Sequence, residues 1–284
     1  MSSHRSRLFL IAISAVSLQL IAPQLIALAG LQKDIPRSIK SDDFTKNRPR
    51  SKRRGPPKSS RLYRLASTPR TRPAGESSSD ILQVGLTIWK LQPDPSRQLE
   101  RVAKRVEADN KFRDGDLLRL SIESPRVGYL YVIDRDWFTD GSGGETNLIF
   151  PVRGEDNRLV AGKLIDLPAE SDVPFKATPK PNQVGEMLTI IVTRSPLRLP
   201  LSKKPLPITS TQLSDWERMW SAMTDRYEME DGAGLTRTIQ EQQAAEPRGT
   251  RQLTRDDPGP QTIYRLSPKS RDAFLFNVLL SYVR

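Results

Sequence analysis

Four carboxylates crowd into one short stretch of this chain, Asp134-Arg-Asp136-Trp-Phe-Thr-Asp140-Gly-Ser-Gly-Gly-Glu145. Oxygen ligands on a glycine-bearing loop suit calcium, which accepts several oxygens in a compliant geometry. The spacing departs from the EF-hand pattern, however. The expectation is therefore a mobile hairpin and no metal, with Asp134, Asp136, Asp140 and Glu145 as the ligands if an ion were held. Trp137 and Phe138 from the same stretch, with Trp216 and Trp220 further along, are the side chains able to stack on a ligand or partner.

Other chemistry is narrowed by residue type. The only histidine is His4 and there is no cysteine, which removes Ser-His-Asp and Cys-His nucleophiles and zinc sites built on those ligands. Paired carboxylates, a Ser-Lys pair or oxygen-held metals would remain for a hydrolase. Acids beside turns are more often turn formers, so neither an enzyme nor a cofactor is expected and no catalytic residue is assigned. Asp116, after Gly115, is read as a turn-pinning acid: glycine permits positive φ and the carboxylate accepts backbone N–H groups.

The elements that must position these residues read mainly as β. Leu82, Val84, Leu86 and Ile88 alternate with Gln83, Gly85, Thr87 and Trp89, as do Leu118, Leu120 and Ile122 with Arg119 and Ser121, the period of half-buried strands. Residues 99–106 fit a short helix or a strand. Further strands are expected at 128–134, 146–152, 164–167, 173–177, 187–194 and 263–266, with 135–145 as a loop. The stretch 273–283, apolar on both faces, suits a central strand. One amphipathic helix is predicted over about 214–229. Its support is a Ser214/Glu217 capping box and Trp216, Met219, Trp220, Met223 and Tyr227 on one face. Residues 232–261 read as a surface excursion with at most a short helix near 239–245. Short strands with frequent turn signals imply a single β-sandwich or partly open barrel over residues 80–284.

Phe112-Arg-Asp-Gly115-Asp116, Gly128-Tyr-Leu-Tyr131 and Phe150-Pro151 together resemble the bacterial domain of unknown function 4384, across about residues 81–196. The resemblance implies an exported bacterial protein with a β-rich unit, and it brings no catalytic residues to carry over. The longer 134–147 segment is where this chain departs from the shorter turns of that family.

At the N-terminus Arg5 and Arg7 precede the apolar run Leu8–Leu20, and Ala27-Leu-Ala29 before Gly30 has the form of a signal-peptidase site. A signal peptide over 1–29 is expected, or a membrane anchor if it is not cleaved. Between Lys33 and Arg72 stand fourteen Lys or Arg against three acids, and the remainder from Pro73 is nearly neutral. Residues 30–79 thus read as a disordered basic linker. The functional expectation is an exported, non-catalytic binding or scaffolding module, in the periplasm or secreted, that recognises an envelope protein or cell-wall polymer, with no disulfide-linked partner. The alternative is polyanion binding by the basic tail, through Lys52, Arg53, Arg54 and Lys58.

Overall fold

The computed structural model describes residues 38–51, 61–66, 82–94, 96–169, 171–245, 252–268 and 272–283. In chain order its elements are β1 (Ser38–Lys40), α1 (Ser41–Thr45), β2 (Leu62–Leu65), β3 (Leu82–Asp94), β4 (Arg97–Val106), β5 (Lys111–Phe112), β6 (Leu117–Glu123), β7 (Gly128–Phe138) and β8 (Gly143–Phe150). There follow β9 (Arg158–Leu159), β10 (Ile165–Leu167), β11 (Phe175–Lys176), β12 (Gln183–Thr193), β13 (Leu206–Pro207), α2 (Ser210–Trp220), β14 (Ala222–Met229), α3 (Ile239–Ala245), β15 (Thr262–Pro268) and β16 (Ala273–Tyr282).

The expected mainly-β, sandwich-like fold is found. One sheet runs β1-β2-β14-β15-β3-β6-β10, with β4 also on β3 and β11 on β6; the other runs β13-β8-β7-β12-β16-β5, with β9 on β7. Even-numbered residues meet between them: Leu82, Val84, Leu86 and Ile88 of β3, Leu120 and Ile122 of β6, Leu130 and Val132 of β7, Leu188 and Ile190 of β12, and Phe276, Val278 and Leu280 of β16. This is the alternation visible in the sequence, and burying it supplies most of the hydrophobic stabilisation.

Both outer faces are also covered. On the second sheet, Tyr131, Ile133, Leu148, Ile191 and Leu275 pack against Leu213 and Trp216 of α2. On the first, Ile39, Phe44 and Tyr63 pack on Tyr227, Met229 and Ile263. A buried polar layer continues beside them. Arg48 donates from Nη2 (2.6 Å) and Nε (3.1 Å) to Glu123 and from Nη1 to the carbonyls of Asp257 (3.0 Å) and Pro258 (3.1 Å). Arg105 pairs with Glu241 and Arg237 with Asp166, and both guanidiniums lie over the Trp89 ring. Trp89 donates to Ser121 (2.7 Å) and Ser121 to Asp166 (2.5 Å). These links fix 41–50, α3 and 252–261 onto the sheet.

Three expectations are corrected and one open choice is resolved. Residues 38–51 and 61–66, which composition assigns to a disordered linker ending at 79, contribute two strands, a helix and buried side chains. The helix begins not at Ser214 but after Thr209, whose hydroxyl accepts from Gln212 N, and it ends at Trp220. Met223 and Tyr227 stand in β14, whose backbone pairs with β15 along 222–228 and with β2 along 227–229. The open choice at 99–106 resolves to β4, paired on β3. Finally, 135–145 is no loop: β7 and β8 run on as a hairpin that turns only over 139–142. Asp116 behaves as read, accepting from Arg113 N (2.8 Å) and Lys90 Nζ (2.6 Å), with Gly115 at φ 83.

Candidate functional site

The inner face of β7 changes character along its length. Leu130 and Val132 belong to the core, but Asp134 and Asp136 continue the same face where the sandwich opens. Register sets Asp136 opposite Glu186 and Asp134 opposite Leu188 on β12, so the two strands present three acids to one end. Tyr282 follows Leu280 on the same face of β16, and Leu280 is the partner of Glu186 on the other side.

Between the sheets at this end lies a small open cleft of about 30 Å³, walled by Leu118, Leu120, Leu188, Leu280 and Phe175 and carrying Asp134, Glu186 and Tyr282. The Tyr282 hydroxyl donates to Glu186 Oε1 at 2.5 Å. Oδ1 of Asp134 is buried with no hydrogen-bond partner. Burial, reinforced by the charges of Glu186 and Asp136, pushes the Asp134 carboxyl up to about 7. Burial raises Glu186 too, opposed by the Tyr282 hydrogen bond. Burial and that bond to Glu186 hold the Tyr282 phenol well above its ordinary value. Asp136 is satisfied differently, by Lys180 Nζ (2.6 Å) and Gln183 Nε2 (2.9 Å), and its bond to Lys180 raises the lysine.

The four carboxylates proposed as ligands from the sequence are not gathered. Asp134 and Asp136 share the inner face, Asp140 caps the exposed turn by accepting from Ser142 N (2.9 Å), and Glu145 is exposed. Among the described residues no three His, Cys, Asp or Glu side chains are placed to hold a metal ion.

The aromatics separate likewise. Trp137 is half-buried on the outer face, with the Arg135 guanidinium 5.2 Å from its ring centroid. Phe138, half-buried, points with Asp136 to the other face. Gly144 allows this close approach, since a Cβ there would stand 3.0 Å from the Phe138 ring and 2.8 Å from Asp136. Trp216 is a core residue, stacked on the partly buried Trp220 at 5.7 Å, so its face is spent on packing. Lys52, Arg53, Arg54, Lys58, Ala29 and Gly30 lie outside the described residues.

Sequence reasoning missed Glu186 and Tyr282. A signal existed for the first: Leu188, Ile190 and Val192 define the inner face of β12, and Glu186 is a charge in the next inward position. Tyr282 carries no such mark, because a tyrosine at the end of an apolar strand reads as core.

No protein-family model, curated protein or solved structure matches this chain.

Proposed function

We propose that the protein is a non-catalytic binding module of the bacterial cell envelope whose recognition end is the one carrying the β7–β8 hairpin. The observation that carries this reading is a coincidence at that end: an open cleft, a buried carboxylate oxygen without a donor, and the half-exposed Trp137 and Phe138. Half-exposed aromatics beside unsatisfied polar atoms are what a partner can bury with gain. The cleft is too small to seat a sugar ring between Asp134 and Glu186, which weighs against the carboxylate hydrolase. The N-terminal Arg5, Arg7 and Leu8–Leu20 pattern supports export.

The test is capture from envelope extract by the full chain and by Trp137→Ala. Partners retained by the first and lost by the second support the reading. Retention of none by the full chain overturns it.

A further inference from the structure

We infer that the cleft between the sheets is a subsite for a primary ammonium group on an unbranched aliphatic chain. The inference rests on the reading of this end of the sandwich as the recognition end.

The walls and the floor of the cleft ask for different things. Leu120, Leu188 and Phe175 offer apolar surface, suited to methylene groups. At the polar end Glu186 already accepts the Tyr282 hydroxyl through Oε1, whereas Asp134 Oδ1 is buried without a hydrogen-bond partner, the Arg135 backbone N–H lying near the rest of that carboxyl. A buried acceptor left unpaired is costly, and two neighbouring carboxylates repel. One group that supplies both several donors and a positive charge removes both penalties, and an ammonium carries three N–H donors on one compact centre.

Other ligand classes fit less well. Calcium needs more oxygens than this pair and Tyr282 provide. A guanidinium is broad and planar, and a sugar ring is larger still, whereas about 30 Å³ is room for two or three water-sized groups, an ammonium and its first methylenes. A neutral hydroxyl or amide would leave the paired negative charge uncompensated. The cationic groups already present do not occupy the place: Lys180 is engaged with Asp136, and Lys176 is exposed at the mouth.

The experiment titrates the full chain with n-butylammonium at pH 8 and pH 6, following amide chemical shifts, with n-butanol as the neutral isostere. Nα-acetyl-lysine methylamide is a second probe. Binding near about 1 mM is the scale for so few atoms. It should weaken from pH 8 to pH 6 as the Asp134 carboxyl takes a proton. Asp134→Asn should weaken it about tenfold or more, the worth of a charge-assisted hydrogen bond, while Asp215→Asn, an exposed acid on α2, leaves it unchanged. If the lysine derivative binds as well as butylammonium, the ligand is a side chain of a partner protein; if only the free amine binds, it is a small amine. No saturable binding at pH 8, equal binding of butanol, or full binding by Asp134→Asn overturns the inference and leaves the carboxyl satisfied by a proton or water. Partner capture that depends on Trp137 without amine binding sinks the subsite alone, whereas amine binding without any captured partner sinks the module.

Discussion

Replacing Arg48 by methionine removes the cation from a site where it is 1% exposed and its partner Glu123 is 3% exposed. The apolar stem is preserved, so the loss is electrostatic. Glu123 then has two courses. It can remain ionised and buried, at a cost of about 3–5 kcal/mol for an uncompensated interior charge. Or it can take a proton, which at pH 7 from an ordinary carboxyl near 4.5 costs about 3.5 kcal/mol by 1.4 kcal/mol per pH unit. The cheaper course sets the electrostatic part at about 3.5 kcal/mol. The carbonyls of Asp257 and Pro258, which also lose their donor, add about 1 kcal/mol or more. The expected total is about 4.5 kcal/mol at pH 7, a large share of the stability of an ordinary domain. The sign of its pH dependence follows. In the variant the folded-state pKa of Glu123 rises further above its unfolded value, so the stability lost is recovered as pH falls toward that unfolded value and lost again as pH rises. Urea unfolding of the full chain at pH 5.5 and pH 8 reads this directly: the deficit should shrink by about 2 kcal/mol or more at the lower pH. Adding Glu123→Leu to Arg48→Met should restore most of the loss, because an apolar pair can replace a buried ion pair. A wild-type midpoint for Arg48→Met at both pH values would refute the burial of this pair and, with it, the docking of residues 41–50 on the sheet.

Three further outcomes are expected. Gly85→Ala would place a Cβ 2.5 Å from Pro260 and 2.9 Å from Phe44; it should lower the unfolding midpoint by an overpacking cost of about 1–3 kcal/mol, and an unchanged midpoint would mean that the 258–260 segment does not cover β3. Asp134, held near 7 when folded against an ordinary 3.8, destabilises the fold increasingly as pH rises between those values. Asp134→Asn should therefore flatten that slope and stabilise the protein at pH 8 by on the order of 2–4 kcal/mol, and an unaltered pH profile would refute the shift. If the basic segment binds anionic polymer, changing Lys52, Arg53, Arg54 and Lys58 to serine should weaken retention on polyglutamate and lessen its salt dependence; retention indifferent to salt or to these four changes would exclude that role.

The period-two strands were legible because a single interaction governs them: an apolar side chain at every second position has to face the other sheet. The same logic exposes Asp134 and Glu186 as charges in inward positions once the strands are aligned, but the alignment itself is tertiary. Residues 134 and 186 meet only because β7 and β12 are neighbours in register, and strand order is not written in either segment. The helix shows the opposite failure. Trp216 and Trp220 do share a helical face, but Met223 and Tyr227 match its period by accident, and the backbone pairing of β14 with β15 and β2 decides their conformation.

The basic segment is the sharper case, because composition averages over residues whereas docking depends on a few. Between residues 33 and 72 the charge density argues for a chain that cannot bury its surface. Yet Ile39, Phe44 and Tyr63 supply a small apolar cluster, the Tyr63 hydroxyl donates to the carbonyl of Pro260 at 2.8 Å, and Arg48 finds a buried carboxylate 75 residues away. A positive charge in such a segment is a solvating group when it meets water and an anchor when an acid waits in the sheet. Which of the two Arg48 becomes depends on Glu123, an acid on the outward face of β6 that in isolation reads as solvent-exposed. The long-range pair thus converts part of a tail into part of the fold, so that paired chain is already present at Ser38, well ahead of residue 80.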